Sequence, residues 1–148
     1  MTSILEGVIQ RGTGKKLKNL NLNIGGKTGT TNKNTDTWFI GFTSNLVIGV
    51  YVGLDNPQPL GKNETGAKTA LPIFKYFLES AVKKSTARPF KVPDDIVMMV
   101  IDPNNGQKAK FKSKNTIIEN YKKKDIVNSK VISINNKSFD KNKILKFY

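Results

Sequence analysis

Two apolar runs lie side by side in this chain, Trp38-Phe39-Ile40-Gly41-Phe42-Thr43 and Leu46-Val47-Ile48-Gly49-Val50-Tyr51-Val52-Gly53, parted only by Ser44-Asn45. Aromatic and β-branched runs joined by a two-residue polar turn predict a β-hairpin. Odd and even positions are apolar alike, which predicts central strands covered on both faces. Gly41 and Gly49 would then mark places where a helix or a neighbouring backbone comes close. The chain is poorly equipped to meet that demand. Its helical patterns are two: Ser3 to Gln10, with Ile4, Leu5, Val8 and Ile9 at helical spacing, and about Thr69 to Lys83. Ser3-x-x-Glu6 has the form of a capping box. Ala70, Ile73, Phe74, Phe77, Leu78, Ala81 and Val82 form the expected buried stripe of the second helix, and Pro72 is tolerable in its first turn if Thr69 is the N-cap. Two helices on one side leave the other face of the sheet bare, so the pattern is that of half a domain.

Ahead of the hairpin, Ile24 to Thr31 reads as a third short strand carrying Lys27-Thr28-Gly29-Thr30-Thr31. A lysine, hydroxyls and a glycine on one extended segment suit an anion beside a carbonyl. Lys27 supplies positive charge, and the Thr28 and Thr30 hydroxyls can hydrogen-bond a carboxylate. Gly29 lets a ligand approach the backbone, and the Thr30 N–H can face a developing oxyanion. Around this core, Lys15 to Asn23 reads as a polar surface loop and Asp55 to Gly66 as a Pro/Gly/Asn loop. Ile96 to Ile101 is a strand candidate, and Asp102-Pro103-Asn104-Asn105-Gly106 a turn.

Composition narrows the chemistry. The 148 residues contain no Cys and no His, which removes thiolate and histidine-based nucleophilic mechanisms and most zinc sites; no cofactor and no metal site is expected. Net charge is +14, and residues 107–148 hold 12 of the 25 basic residues against 3 of the 11 acidic ones. That stretch, with apolar islands only at Ile117-Ile118 and Val131 to Ile134, reads as a basic, weakly ordered tail. No run approaches the roughly 20 apolar residues of a membrane span, and the first residues lack the charged region and apolar run of a signal peptide, so none is expected in them.

The order of elements and a series of short motifs resemble the C-terminal part of a class A (1A-type, bifunctional) penicillin-binding transpeptidase domain, the fold shared with serine β-lactamases. The resemblance begins with Met1 to Gly14, ending Arg11-Gly12-Thr13-Gly14, and continues through Gly25 to Asn32 and Asp36-Thr37-Trp38-Phe39-Ile40-Gly41-Phe42. It extends to Val52-Gly53-Leu54-Asp55-Asn56-Pro57, to Glu64-Thr65-Gly66, to Thr69-Ala70-Leu71-Pro72-Ile73-Phe74 and to Ile101 through Gly106, with a fading echo to about Asp125. It implies an α+β partial transpeptidase fold of helix, three antiparallel strands and helix. The implied divisions are a domain portion over 1–84, an extended segment over 85–106 and the basic tail over 107–148.

By resemblance, an active serine attacks the penultimate D-Ala carbonyl of a peptidoglycan stem peptide, and an amine resolves the acyl-enzyme. Lys27 would polarise the site and help move protons, and the Thr30 N–H would be an oxyanion-hole donor. Thr28, Gly29, Thr30 and Thr31 would line the place of the substrate's, or a β-lactam's, carboxylate. The family's S-x-x-K and S-x-N motifs precede Lys-Thr-Gly, but only 26 residues precede Lys27 and they contain neither. Matches at Ser80–Lys83, Ser138–Lys141, Ser113–Asn115 and Ser133–Asn135 all fall after it, in numbers that 8 Ser, 23 Lys and 16 Asn produce by chance. The expectation is therefore a fragment of an interrupted gene or an engineered piece, inactive alone, with an upstream fragment of the same enzyme as a partner. The parent enzyme would work at the periplasmic face of the bacterial inner membrane, whereas this chain alone is expected to stay in the cytoplasm. The alternative is a non-catalytic basic module binding nucleic acid or an anionic cell-wall polymer, with Phe111 and Tyr121 for stacking. Without a basic stripe or known nucleic-acid motif, nucleic acid is the less favoured partner.

Overall fold

The computed structural model describes residues 1–82, 88–109 and 115–128. The chain divides into two compact units, Met1–Val92 and Pro93–Tyr148. In the first, helix α1 spans Thr2–Gln10. It starts two residues earlier than the capping box predicts: Met1 is the N-cap, no side chain caps the helix, and Ser3 sits inside the first turn. Ile9 is its buried residue. The Gly12 and Gly14 N–H groups both donate to Val8 O at 3.0 Å, folding the chain tightly out of the helix. Side chains would obstruct that fold, since a Cβ on Gly14 would lie 2.6 Å from Ile9 Cδ1.

The stretch expected as a polar loop contains a short 3-10 helix, Lys15–Leu20. Leu17 and Leu20, spaced i and i+3 on its eclipsed face, are both buried. Two leucines among lysines and asparagines escape a composition argument, yet they join Ile9 and Ile24 in the core.

Strands β1 (Gly25–Thr30), β2 (Asp36–Phe42) and β3 (Val47–Gly53) form an antiparallel sheet in that order. The registers include Lys27↔Ile40, Thr28↔Phe39 and Gly29↔Trp38 in the first pair, and Trp38↔Tyr51 in the second. Strand periodicity sorts these residues by face. Thr37, Phe39 and Gly41 are buried on one face, beneath helix α2 (Ala70–Ala81). Phe39 meets Phe74 of α2 edge to face, with centroids 4.7 Å apart. Gly41 is the close approach expected, because a Cβ there would lie 2.6 Å from the Phe74 ring. Gly49 is not, its nearest neighbour being Ile40 Cγ1 at 4.0 Å. Full burial of a phenylalanine is worth about 1.5–3 kcal/mol, so Phe39 and Phe74 anchor the core.

The opposite face is the one that two helices on one side leave bare among the described residues. Trp38 is 43% exposed and Ile40 and Tyr51 50% each. Trp38 and Tyr51 shelter one another, with ring centroids 4.8 Å apart. Helix α2 also departs from its expected stripe. Ala70, Leu71, Phe74 and Leu78 are buried, whereas Ile73 and Phe77 are about half exposed. Thr69 is the N-cap position, but its hydroxyl bonds Thr65 O and Thr37 Oγ1 rather than a helix N–H.

In the second unit, β4 (Ile96–Ile101) finds its antiparallel partner inside the stretch expected to be weakly ordered, β5 (Ile117–Lys122). Helix α3 follows at Lys123–Asn128. Met99, Ile101 and Ile126 form a small core against which Val97, Ile117 and Tyr121 pack. Tyr121 is thus a packing residue and not a free stacking platform, while Phe111 and Val131 to Ile134 lie outside the described residues. The Asp102–Gly106 turn closes as predicted, Gly106 N–H donating to Asp102 O at 2.8 Å and Asn104 N–H to Asp102 Oδ1 at 2.9 Å. No helix among the described residues is long and apolar enough to cross a membrane.

Candidate functional site

The direction of each backbone group along β1 decides what the segment from Lys27 to Thr31 can do. Thr31 N–H donates to Asp36 O at 3.0 Å, toward β2. Stepping back by two, the Gly29 and Lys27 amides face β2 as well, so those of Thr28 and Thr30 face the outer edge. Side chains alternate in the other dimension. Thr28 and Thr30 stand on the α2 side with Phe39 and Thr37, and Lys27 and Gly29 on the uncovered side with Ile40 and Trp38.

Lys27 does not stay on its own side. Its Nζ donates to Thr28 O at 2.8 Å and reaches Thr28 Oγ1 at 3.4 Å, so the side chain bends around the outer edge. Among the described residues no carboxylate pairs with it. The ammonium and the Thr28 hydroxyl therefore share one neighbourhood, although the strand sends their side chains to opposite faces.

Both motif hydroxyls have partners that the motif alone does not reveal. The Thr28 and Thr13 hydroxyls share a hydrogen bond of 3.0 Å, joining the turn after α1 to the strand. Thr30 Oγ1 accepts the Gly66 N–H at 3.1 Å. An accepting hydroxyl keeps its own hydrogen to give, so that contact turns Thr30 into a donor. Gly66 can come this close only without a side chain: a Cβ would strike Trp38 O and lie 2.7 Å from Gly29 O.

Gly29 and Thr31 have local work. A Cβ on Gly29 would meet Trp38 Cβ at 3.2 Å, so its bareness makes room for the tryptophan. The Thr31 hydroxyl accepts the Asp36 N–H at 2.9 Å and bonds Thr35 Oγ1 at 2.8 Å. Thr35 in turn donates to Asp36 Oδ2 and Tyr51 to Asp36 Oδ1, at 2.9 and 2.7 Å. This network locks the β1–β2 turn. The hydrogen bond to Asp36 also holds the Tyr51 phenol above its ordinary value, with smaller contributions from burial and from the Asp36 and Asp55 charges.

The outer edge of β1 thus gathers the Lys27 ammonium, the Thr30 hydroxyl, the Thr28–Thr13 pair and the outward Thr30 N–H. This is a donor set for an anion and, one residue away, for an oxyanion. Thr13 and Gly66 were absent from the sequence-based site. Their sequence signal is membership of two motifs of the resemblance, Arg11-Gly12-Thr13-Gly14 and Glu64-Thr65-Gly66. The serines of the described residues lie elsewhere in the fold. Ser3 is in the first turn of α1 and Ser44 in the β2–β3 turn, while Ser80 at the end of α2 gives its hydroxyl to Tyr76 O at 3.1 Å. Lys83, Ser113 and residues 133–141 lie outside the described residues.

Residues 1–79 match the family described as the penicillin binding protein transpeptidase domain. The chain is similar to penicillin-binding protein 1A of Rickettsia conorii, with 48% identity over 82% of this chain and 15% of that protein. It is also similar to penicillin-binding protein 1A of Pseudomonas aeruginosa, at 40% over 84% of this chain and 15% of that one. The crystal structure of penicillin-binding protein 1A from Haemophilus influenzae superimposes with a TM-score of 0.67 at 32% identity, covering 79% of this chain and 18% of that chain. The chain therefore spans about 15% of the length of the curated relatives it matches. On the match over residues 1–79, it belongs to the penicillin-binding protein transpeptidase family.

Proposed function

We propose that this chain supplies the carboxylate-binding and oxyanion-binding half of a peptidoglycan D,D-transpeptidase site, and that the serine nucleophile comes from a separate segment. The observation that carries this reading is the outer edge of β1, where the Lys27 ammonium, the Thr28–Thr13 hydroxyl pair and the Thr30 hydroxyl gather. Lys27 and the hydroxyls of Thr28 and Thr30 hold the terminal carboxylate of a stem peptide or of a β-lactam. The Thr30 N–H stabilises the oxyanion, a role whose loss costs about 10²–10³ in rate in acyl-transfer enzymes. Gly29 keeps the strand slim beside Trp38, and Thr31 holds the turn that fixes the edge. The parent enzyme performs this chemistry at the periplasmic face of the inner membrane.

By itself the chain forms no acyl-enzyme. A complementing transpeptidase segment would cover the bare sheet face of Trp38, Ile40, Val47 and Tyr51 and present its serine to the Lys27 edge. Labelling with a fluorescent penicillin tests both statements. No covalent label is expected on the full chain alone, and a label mapped to Ser80 or Ser138 would overturn the reading. On co-expression with the upstream transpeptidase segment of a relative, label is expected on that partner and is lost with Lys27→Ala.

A further inference from the structure

We infer that Thr13, on the turn after α1, is a fourth carboxylate-binding group of this half-site and its outward hydroxyl donor. The inference rests on the carboxylate-binding reading above and extends it to a residue outside the Lys-Thr-Gly strand.

Proton bookkeeping supports it. Two hydroxyls that share one hydrogen bond use one of their two hydrogens, so the Thr13–Thr28 pair always leaves one to give. Which residue keeps it depends on the neighbours. Lys27 Nζ lies 3.4 Å from Thr28 Oγ1 and donates toward it. An ammonium on that oxygen polarises its O–H bond and makes Thr28 the better donor within the pair. Thr28 then gives its hydrogen to Thr13, and the Thr13 hydrogen is the one left for a ligand. Thr13 is also the exposed member of the pair, whereas Thr28 is half buried.

The turn is built to present that hydroxyl. Gly12 and Gly14 flank Thr13, and the amides of both converge on Val8 O at 3.0 Å. Neither has room for a side chain: a Cβ on Gly12 would touch Val8 O at 3.0 Å, and one on Gly14 would lie 2.6 Å from Ile9 Cδ1. The turn is held by the helix end and the core, so the position of Thr13 does not depend on its bond to Thr28. A carboxylate with one oxygen near Lys27 and Thr30 can accept Thr13 on the other, a two-sided grip that a strand alone does not offer.

The test is an NMR titration of the full chain with acetyl-D-alanyl-D-alanine, with the C-terminal amide of the same dipeptide as control. In the unaltered chain the Thr13 methyl is expected to shift with the same dissociation constant as the Thr28 and Thr30 amides, and the amide control to produce no such shifts. Thr13→Val keeps the shape and removes the hydroxyl, and should weaken binding about tenfold, the worth of one hydrogen bond to a charged group. Thr13→Ser should restore it. If Thr13→Val binds like the unaltered chain while Thr28→Val does not bind, Thr13 is no ligand group and the carboxylate reading survives. If the dipeptide shifts nothing on β1 in the unaltered chain, the carboxylate reading falls and the role of Thr13 with it. Should Thr13→Val disturb the fold, seen as loss of the dispersed Gly66 and Thr30 amides, the methyl titration of the unaltered chain decides alone.

Discussion

Two glycines of the first unit should respond oppositely to a single added methyl group. Neither has a positive φ, so conformational permission is not at issue and only space matters. At Gly66 a Cβ would strike Trp38 O and come within 2.7 Å of Gly29 O and 3.3 Å of Gly29 N. These are backbone atoms of two paired strands, which cannot swing aside as a side-chain tip can. Overpacking of this kind costs about 1–3 kcal/mol. Moving the loop away to relieve it also breaks the Gly66 N–H to Thr30 Oγ1 bond, a further loss of about 1 kcal/mol. Gly66→Ala is therefore expected to destabilise the unit by about 2–4 kcal/mol. At Gly49 the added methyl meets only Ile40 Cγ1 at 4.0 Å, and alanine relieves the entropic cost of a strand glycine. Gly49→Ala should stabilise by about 0.5 kcal/mol. Urea unfolding followed by the fluorescence of Trp38, the single tryptophan, measures both. With a urea slope of about 1–2 kcal/mol/M, the midpoint for Gly66→Ala falls by one molar or more. A midpoint within 0.3 M of the unaltered chain, with the Thr30 amide resonance unmoved, would refute the claim that Gly66 is wedged against the motif strand.

Phe74→Ala removes a fully buried ring from between α2 and Phe39, and calorimetry should find a loss of about 3–5 kcal/mol. Burial raises the Glu6 carboxyl above its ordinary value of 4.5, so the folded chain holds that proton more tightly than the unfolded one. Stability from this group is therefore fully present below the unfolded value and lost as pH rises through the folded one. Glu6→Gln should raise Tm at neutral pH, with the difference closing as pH falls toward 4.5. The Tyr51 phenol is also raised, first by its bond to Asp36, so its contribution is intact below 10.0 and lost as pH climbs through the folded value. Tyr51→Phe should remove that alkaline loss, read from Tm against pH alongside the phenolate absorbance of the unaltered chain.

Much of this arrangement is legible in the chain. β2 and β3 announce themselves because their β-branched and aromatic runs are long and the break between them sharp, and α2 by its apolar spacing. Lys27 to Thr31 stands out because its residue types are chemically coherent over five consecutive positions. Other features depend on partners distant in sequence. Leu17 and Leu20 are too few to signal burial until Ile9 and Ile24 are placed beside them. β5 alternates weakly, and only pairing with Ile96–Ile101 gives Ile117 and Tyr121 a core to join. Thr13 and Gly66 are tied to the motif strand by hydrogen bonds spanning 15 and 36 positions, which no local pattern encodes. The two-faced apolarity of β2 is read correctly as a demand for cover. The described residues meet it on one face only, where Phe39 lies, and leave Trp38 and Ile40 half exposed.

Among the described residues β3 lies at the margin of the sheet, with a consequence for how the chain behaves in solution. Val47–Gly53 carries no charge and no proline, the usual guards against another strand adding to an open margin. What opposes such stacking is long-range: a net charge of +14 makes every copy repel every other. That repulsion reaches about 10 Å at 0.1 M salt and only about 3 Å at 1 M. Colloidal stability should thus depend on ionic strength more than on temperature, dilute buffer keeping copies apart and concentrated salt letting their margins meet.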